Sequence, residues 1–570
     1  MATTPWFAYG SILAIQAKVL WGIWAYRDLT PGDTAQYFAM ASRWADSLQL
    51  NPGFYPLYHG LWGSLQWLVP DAFAVTVLHR VLIVLGTTAL LLAVLRRLLT
   101  PGIAWALALW WAVVPANYDV LYEIHLFGAL AGLAITLVAL TWSGLAARAT
   151  VFGLLLSSAF LVRSENIVAA VIFGIVWLGY ELWPLKSGVA PDWKVLGKAV
   201  AIPLLSVVVL VGLLTWRSSS SQSVFDQLSD KHKINLCEVY AIGLWQSGDV
   251  RADNPAGQCT VYTQADFGQA FPSLPQAIAK NPDAILKLFG RNAELIPAGL
   301  EVGLFNAKFG STSDASNPDY IPVNRGSWLV LAGSITIVLI LCAGGALIWA
   351  ERTKFWNGWI RVRIWGWVAL AALASTALYS ALQTRPRPSY LFPLTILILA
   401  AFGMSLMAIG QRLGVPRRAR ALLPPLALAA LIVIPNHYRA GYANPQIGPG
   451  QRLKTAVSRL DPFRSRLSGR GQGLLAVYPA TNVCEYVGRS HPCSGVTWNY
   501  PIGENLEPEL AGRNQNYFRP SPVSFIYADE YAFAADPGLR ARLDALLIRG
   551  WSLVAPPRHG NWMLLKRDAS

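Results

Sequence analysis

Apolar residues along this chain fall into runs of about 18 to 24 residues, separated by short polar or charged stretches. An α-helix of that length spans the hydrocarbon core of a bilayer, which is about 30 Å thick. The pattern therefore predicts a polytopic α-helical membrane protein with about eleven transmembrane helices. The predicted spans are 6–26, 72–95, 101–115, 124–143, 149–163, 166–183, 199–216, 328–350, 364–383, 389–409 and 421–437.

The pattern changes after residue 437, where short stretches typical of β-strands alternate with segments of helical spacing and charge. The predicted strands are Gly471–Tyr478, Pro522–Tyr527, Ser552–Ala555 and Asn561–Leu565, the last two as a hairpin, with helices over 450–467 and 537–549. We therefore predict a transmembrane domain over 1–437, with outer loops at 27–71 and 217–327. An extracytoplasmic α/β domain is predicted over 438–570.

Composition agrees with the membrane assignment. Of the 570 residues, 54% are hydrophobic and only 14% are charged, which is not the balance of a soluble enzyme. Many of the 24 tryptophans stand near the ends of apolar runs, a position that suits the bilayer interface. The net charge of +15 comes mainly from short loops rather than from a basic stripe with interleaved aromatic residues, so we expect no nucleic-acid partner.

The distribution of Lys and Arg predicts the orientation, because cytoplasmic loops of membrane proteins carry an excess of both. One set of loops carries Arg96, Arg97, Arg148, Lys186, Lys194, Lys198, Arg352, Lys354, Arg361, Arg363, Arg412, Arg417, Arg418 and Arg420. The alternate set carries Arg27, Arg43, Arg163, Arg385 and Arg387. We therefore expect a multi-pass protein of a bacterial inner membrane, with a cytoplasmic N-terminus, a retained first span, and the C-terminal domain in the periplasm or outside the cell.

The cysteines agree with that orientation. Cys237 and Cys259 share the long predicted outer loop, and Cys484 and Cys493 share the tail, whereas Cys342 lies inside an apolar run. Paired cysteines confined to the outer side suit an oxidising compartment. A disulfide within each pair is therefore a hypothesis for the structure to test.

The segment after the first span holds a lone acidic residue, Asp33, after a Pro-Gly turn and at the head of an amphipathic helix. With Gln36 three positions on, Asp33 fits a capping box, which is a purely structural role. Its predicted place just above the membrane, with Tyr37 beside it, instead favours a general base that a lipid-borne substrate can reach. His59, further along the same loop, suits either a hydrogen-bonded structural histidine or a ligand-binding residue.

A second outer loop contributes Asp119, Glu123 and His125. Asp119 and Glu123 are four residues apart and so share one helical face. Glu123 and His125 suit binding of sugar hydroxyls, proton transfer, or a divalent cation shared with Asp33. The alternative is a solvated helix start in which Asp119 interacts with the helix dipole.

A few basic residues lie at the predicted outer membrane surface, against the general excess of Lys and Arg on the cytoplasmic side. Arg163 and Glu165 lie between two closely spaced spans, and Arg385 and Arg387 precede another span that begins near Tyr390. A lipid-linked phosphate is one reason to place arginines there. An Arg163–Glu165 salt bridge or contact with phospholipid head groups are the alternatives.

Three segments resemble the GT-C superfamily of polyprenyl-phosphate-sugar-dependent glycosyltransferases, which includes protein O-mannosyltransferases, the lipid A aminoarabinose transferase and mycobacterial arabinofuranosyltransferases. G-D-T-A-Q-Y-F (32–38) is similar to the first outer loop of that family. L-V-R-S-E-N-I-V (161–168) is similar to its charged pair between two later spans, and R-P-R-P-S-Y-L-F-P-L (385–394) to its R-x-Y-x-x-P-like segment. The resemblance extends to about residue 410.

The resemblance implies an inverting transfer of a sugar from a polyprenyl-phosphate donor to an extracytoplasmic glycan, lipid or protein. Asp33 would deprotonate the acceptor hydroxyl, and Arg163, Arg385 and Arg387 would stabilise the leaving phosphate. The residues expected to contact sugar or acceptor are Tyr37, Glu123, His125, Glu165, Tyr390 and His59. The family contains both metal-dependent and metal-independent members. No D-x-D stands in the outer loops, which favours an enzyme that requires no metal or other cofactor, and the first loop lacks the D-E pair of some relatives.

Two other classes of function compete with a transferase. A transporter or flippase of an envelope precursor would favour short loops and charges near the membrane midplane, whereas the unusual charges here cluster at the predicted outer surface. A structural or sensory membrane protein would leave Asp33 and the outer arginines without a common purpose. The sequence distinguishes neither the sugar nor the acceptor.

Overall fold

The computed structural model describes residues 4–25, 33–51, 55–118, 123–183, 192–218, 224–249, 258–307, 328–355, 361–384, 386–414, 452–467, 473–476, 494–495, 523–535, 538–555 and 561–568. Several predictions fall outside these ranges: the span 421–437, Asp119, Arg385, Cys484 and Cys493. Asp33 and Glu123 each begin a described helix, but their side chains are also outside the description.

The described chain is mostly helical. Its α-helices up to residue 412 are α1 Pro5–Val19, α2 Asp33–Ser47, α3 Pro56–Leu68, α4 Ala72–Leu98, α5 Pro101–Val113, α6 Glu123–Thr141, α7 Leu145–Leu161, α8 Asn166–Leu182, α9 Trp193–Trp216, α10 Val224–Gln246, α11 Cys259–Phe267, α12 Leu274–Lys280, α13 Pro282–Phe305, α14 Trp328–Ala350, α15 Arg352–Phe355, α16 Arg361–Gln383 and α17 Phe392–Arg412. Short 3-10 turns lie at Ile23–Ala25 and Pro115–Tyr118.

Six of these helices are long and apolar enough to cross a membrane: α4, α6, α9, α14, α16 and α17. The apolar helices α5, α7 and α8 are shorter, at 13, 17 and 17 residues. Each of the ten predicted spans that falls within the described residues coincides over most of its length with one helix. A polytopic helical protein is thus confirmed, whereas the count of eleven spans is not.

The chain divides into two compact units. The first comprises 1–23, 51–58 and 80–445, and the second comprises 24–50, 59–79 and 446–570. In the first unit, α6, α7, α8 and α16 share a core that contains Phe173, Trp177 and Leu373. This packing places the turn between α7 and α8 beside the beginning of α6 and the end of α16.

The predicted outer loop 217–327 is helical where the structure describes it, from α10 to α13. Cys237 of α10 forms a disulfide with Cys259 of α11, as predicted. A small core that includes Leu236, Tyr240 and Phe267 packs beside this bond. The Asn292 side chain of α13 donates hydrogen bonds to the carbonyls of Leu382 and Thr384, at 2.8 and 2.7 Å, and so joins α13 to the end of α16.

In the second unit, α2 packs against α3, and the contacts advance in the same direction along both helices, from Tyr37 with His59 to Ala45 with Trp67. Phe38 lies edge-on against Trp62, with ring centroids 5.4 Å apart, and the Trp44 indole donates to Ser64 Oγ at 3.0 Å. Gly63 lies so close to the backbone of Ala41 that a Cβ there would overlap its carbonyl oxygen. The close approach of the two helices therefore requires glycine at position 63.

The second unit also holds a five-stranded mixed sheet in the order β2-β1-β3-β5-β4. β1 pairs in parallel with β2 and β3, and β5 pairs antiparallel with β3 and β4. The strands are β1 Gly473–Ala476, β2 Ser494–Gly495, β3 Val523–Ala528, β4 Trp551–Ala555 and β5 Met563–Arg567, and the helices of this region are α18 Arg452–Leu460, α19 Arg464–Leu467, α20 Glu530–Ala535 and α21 Leu539–Leu546. The predicted C-terminal sheet and its terminal hairpin are confirmed, whereas the two-residue β2 was not predicted.

Candidate functional site

The turn between α7 and α8 positions the predicted pair Arg163 and Glu165. The amide of Arg163 donates to Ser158 O at 2.9 Å, and the amide of Asn166 donates to Arg163 O at 3.0 Å. The Asn166 side chain also donates to Ser158 Oγ at 3.1 Å. These bonds hold the turn tightly, so both side chains are fixed at the ends of their helices.

Arg163 contacts two other predicted site residues. Its guanidinium donates to both carboxylate oxygens of Glu165, at 3.2 and 3.4 Å, and to His125 Nδ1 at 2.9 Å. A guanidinium can only donate, so His125 Nδ1 is the acceptor and the proton of the neutral imidazole lies on Nε2. The salt bridge that the sequence offered as an alternative therefore exists, and it belongs to a larger cluster.

The charge states of the pair are well defined. Burial alone would raise the pKa of Glu165, but the Arg163 guanidinium outweighs it and lowers that pKa to about 2. Burial alone would lower the pKa of Arg163, but the Glu165 carboxylate keeps it above its ordinary value. Both groups are therefore charged at every physiological pH.

A second turn, between α16 and α17, brings Tyr390 and Arg387 to the same place. The amide of Tyr390 donates to Arg387 O at 2.9 Å, and the amide of Leu391 donates to Pro388 O at 3.1 Å. The Tyr390 ring lies 4.9 Å from the Arg163 guanidinium carbon, 5.7 Å from that of Arg387, and 4.5 Å from the centroid of His125. The aromatic ring thus lies among two cations and an imidazole.

His125, Arg163 and Tyr390 of this cluster border a cleft within the first unit. It encloses about 540 Å³ of empty space, including a part open to solvent. Its lining consists of His125, Gly128, Ala129, Gly132 and Leu133 of α6, Arg163 and Asn166 at the α7–α8 turn, Leu370, Leu373, Thr376, Ala377 and Ser380 of α16, and Ser389, Tyr390, Pro393 and Ile396 at the beginning of α17.

The cleft has a polar end and an apolar end. The charged and aromatic residues come from helix ends and turns, whereas the lining continues along α6 to Leu133, about 12 Å beyond His125 at 1.5 Å per residue. On α6 the lining includes Gly128 and Gly132, which are four residues apart and so share one face. A Cβ at Gly128 would lie 3.4 Å from Arg163 Cδ, and one at Gly132 would lie 3.1 Å from Leu373 Cδ1, so a larger side chain at either position would crowd the lining.

Helix α10 adds residues that the sequence did not single out. His232 Nε2 lies 2.9 Å from Ser164 Oγ, and the Lys231 ammonium lies 4.0 Å from the centroid of the Tyr55 ring. Burial lowers the pKa of His232, the Glu165 carboxylate opposes that shift, and Lys231 adds to it. In the sequence, S-D-K-H-K has the appearance of a solvated charged face, so no local signal marks these two residues.

Three other predicted site residues, Asp33, Tyr37 and His59, lie in the second unit. Tyr37 and His59 are buried there, with ring centroids 5.5 Å apart, and Trp62 stacks on His79 at 4.7 Å. Asp33 is the first residue of α2. The structure thus assembles His125, Arg163, Glu165, Arg387 and Tyr390 in one cluster and Tyr37 with His59 in another.

Among the residues that the structure describes, no group of three or more His, Cys, Asp or Glu side chains is arranged to hold a metal ion. The side chains of Asp33 and Glu123 are not among those described. The predicted independence from metal therefore stays a prediction.

No protein-family model and no curated protein sequence matches the chain. Among solved structures, it is similar to the oligosaccharyltransferase of Archaeoglobus fulgidus in three forms. The complex with Zn and sulfate is 12% identical, with a TM-score of 0.44 over 97% of this chain and 72% of that chain. The apo form is 12% identical, with a TM-score of 0.46 over 95% and 71%. The form tethered to an acceptor peptide containing the NVT sequon is 14% identical, with a TM-score of 0.43 over 98% and 74%.

Proposed function

We propose that the chain is an inverting membrane glycosyltransferase that moves a sugar from a polyprenyl-phosphate donor to an extracytoplasmic acceptor. The observation that carries this proposal is the cleft of the first unit, which joins a guanidinium to a long apolar lining. A lipid phosphate has the same two parts, an anionic head and a hydrocarbon chain.

The head group would lie against Arg163. Its contacts with Glu165 and His125 use three of the five guanidinium N–H groups, which leaves two for a phosphate. The pair with Glu165 also keeps the guanidinium rigid, so little conformational entropy is lost when ligand binds. Arg387, on the other turn, adds a second positive charge at the same end of the cleft.

The chemistry needs such cations. In the proposed reaction the acceptor oxygen forms a bond to the anomeric carbon while the bond from that carbon to the lipid phosphate oxygen breaks. The electron pair of the breaking bond stays on the phosphate, so its negative charge grows in the transition state. Fixed positive charges beside it therefore stabilise the transition state more than the ground state.

Asp33 is the proposed general base, which takes the proton of the acceptor hydroxyl. Two features support the proposal: its place as the first residue of an amphipathic helix, and the segment G-D-T-A-Q-Y-F that resembles the first outer loop of GT-C enzymes. Tyr37, Glu123, His125, Glu165, Tyr390 and His59 remain the proposed contacts to sugar or acceptor. The acceptor class, whether glycan, lipid or protein, is open to experiment.

The test is transfer from a panel of labelled polyprenyl-phosphate sugars in membranes that contain wild type or Asp33→Asn. Asparagine keeps the shape of aspartate and can cap the helix, so stability should change little. Asp46→Asn, at the exposed end of the same helix, is the matched control. Each membrane is supplied with glycan, lipid and peptide acceptors.

We expect one donor to be consumed by wild type and by Asp46→Asn but not by Asp33→Asn. Equal consumption by all three would show that Asp33 only caps the helix. If no donor is consumed by wild type, the glycosyltransferase proposal fails and a flippase becomes the better interpretation of the cleft. Movement of a labelled lipid phosphate across proteoliposomes would then identify that activity.

A further inference from the structure

The cleft wall contains a polar group that none of the roles above uses. Ser389 lines the cleft and is 1% exposed, and its Oγ has no hydrogen-bond partner among the residues that the structure describes. A hydroxyl held away from water without a partner is destabilising. Folded proteins keep few such groups, and those kept often serve a ligand.

Two hydroxyls in the neighbouring helices are satisfied locally, whereas Thr395 Oγ1 of α17, which does not line the cleft, also has no partner among the described residues. Ser375 Oγ donates to Ala371 O at 2.9 Å, and Thr136 Oγ1 donates to Gly132 O at 2.8 Å. In a helix, the carbonyl four residues earlier is available to such a hydroxyl. Ser389 lies instead in the turn before α17, where the carbonyls of Arg387 and Pro388 already accept from the amides of Tyr390 and Leu391.

The surroundings of Ser389 indicate what it binds. The ring of the next residue, Tyr390, contacts the guanidiniums of Arg163 and Arg387 and the imidazole of His125. Ser389 and Arg163 both line the cleft, so a ligand at its polar end faces a hydroxyl and a guanidinium together. An anion with several oxygens can accept from both, and a hydroxyl is a good donor to a charged oxygen where water is excluded.

We propose that Ser389 is a binding residue that donates a hydrogen bond to a phosphate oxygen at the polar end of the cleft, with the lipid chain on the apolar lining beyond it. The inference rests on the proposed function, because it assigns Ser389 to the phosphate of the same donor. It adds a neutral donor to a site otherwise described by its charges. Ser389 therefore contributes to recognition of the phosphate rather than of the sugar.

The test measures binding without turnover, on purified full-length protein. Ser389→Ala is compared with wild type and with Ser375→Ala, which removes a hydroxyl that is bonded within its own helix. The probes are a polyprenyl phosphate without sugar, the corresponding polyprenol, and inorganic phosphate. Thermal stability is measured with and without each probe.

We expect Ser389→Ala to weaken binding of the polyprenyl phosphate roughly ten-fold, as for a lost hydrogen bond to a charged group, and to leave polyprenol binding unchanged. Without ligand, Ser389→Ala should melt at the temperature of wild type or above it, because the substitution removes the unpaired buried hydroxyl and leaves only the methyl group of alanine. Ser375→Ala should bind the polyprenyl phosphate as wild type does.

The other outcomes separate two failures. Unchanged polyprenyl phosphate binding by Ser389→Ala overturns the role of Ser389 while the proposed function stands. Binding of inorganic phosphate that depends on Ser389, without any effect on the polyprenyl phosphate, overturns the assignment to a lipid. If wild type binds no polyprenyl phosphate, the proposed function and this inference are both wrong.

Discussion

Arg163 shows why a structural and a functional role for one residue need not compete. The sequence left open whether it pairs with Glu165 or binds a phosphate, and the structure shows the pair at 3.2 Å. Both side chains are only 11% exposed, so the pair is a buried one. A planar group with five donors can hold one carboxylate and still present N–H groups to a ligand on another side.

Changing Arg163 to Gln should therefore reduce both stability and donor binding. Glu165 would be left as a buried carboxylate without its partner, at a cost of about 3 to 5 kcal/mol. The phosphate would lose its main cation, and we expect KM for the donor to rise by at least about ten-fold. Thermal melts and initial rates measure the two effects.

Arg148 provides the matched control for that prediction. It pairs with Glu181 at 2.6 Å, between the same two helices but at their opposite ends. Arg148→Gln should also lower the melting temperature, yet leave the KM for the donor near that of wild type. A similar rise in KM for both variants would mean that donor binding responds to general loosening of the α7–α8 pair, and Arg163 would lose its proposed role.

The lowered pKa of Glu165 predicts how the stability of the folded protein depends on pH. Its pKa is about 2 in the folded protein and near 4.5 when unfolded, so the unfolded chain takes up the proton first as the pH falls. The stabilisation, on the order of 3 kcal/mol, is complete above about pH 5 and is lost between about pH 5 and pH 2.

Melting temperatures of wild type and Glu165→Gln, measured across that range, test this expectation. Wild type should be the more stable protein near pH 6, and the difference should shrink as the pH approaches 2. His232 also destabilises the fold as the pH falls, because its pKa is lowered. The loss of stability caused by His232 begins nearer pH 6. A difference in melting temperature between wild type and Glu165→Gln that stays constant below pH 5 would contradict the assignment to Glu165.

At the scale of elements, the sequence predicted the spans well because the length of an apolar run is a local property. The apolar part of the cleft was not predictable, since its lining residues on α6 and α16 are ordinary for a membrane span. Gly132 and Leu373 are 241 positions apart, and only the fold brings them together. The hydrogen bonds by which Asn292 supports the α16–α17 turn likewise join residues that are 90 and 92 positions apart in the sequence.

A substitution at Gly132 tests whether the space between α6 and α16 holds a lipid chain. A Cβ at this position would lie 3.1 Å from Leu373 Cδ1, so Gly132→Val should narrow the cleft. We expect KM for a long-chain donor to rise about ten-fold or more, with a smaller effect on a short-chain analogue. Overpacking should also cost about 1 to 3 kcal/mol of stability.

Gly179 of α8 is the control for this substitution. Nothing lies within 4 Å of a Cβ built there, and the residue is exposed. Gly179→Val introduces the same side chain in a helix and should leave KM unchanged for donors of every chain length. If Gly132→Val affects long and short donors equally, the lipid chain does not lie between α6 and α16.

At the scale of the whole molecule, α9 and α14 show how this protein meets a bilayer. In the 18-residue stretch of high hydropathy within each helix, only 17% of the residues of α9 and 11% of those of α14 are buried inside the protein. Exposed tryptophans stand at both ends of each helix: Trp193, Trp216, Trp328 and Trp349. The helices are 24 and 23 residues long, or about 35 Å, which matches the hydrocarbon core with an interfacial ring at each end.

These two helices also decide the orientation, which the proposed function requires. If both cross the membrane, α10 to α13 lie on the side where α9 ends and α14 begins, and α15 lies on the other side. A donor with its phosphate at the α7–α8 turn needs the α10–α13 side to be outside, as the Lys and Arg distribution predicts. The disulfide of Cys237 and Cys259, in that same segment, also favours an oxidising compartment.

Single-cysteine labelling with a membrane-impermeant maleimide in intact cells tests this arrangement. In a background with Cys342, Cys484 and Cys493 all changed to Ser, Lys280→Cys at the end of α12 should react at once, and Arg352→Cys at the start of α15 should react only after the membrane is opened. Both positions are exposed, so neither result is set by burial within the protein. The reverse pattern would place the α7–α8 turn in the cytoplasm, where a periplasmic or extracellular acceptor cannot reach it. The arginine cluster would then need a cytoplasmic ligand, and the proposed transfer reaction would fail with the orientation.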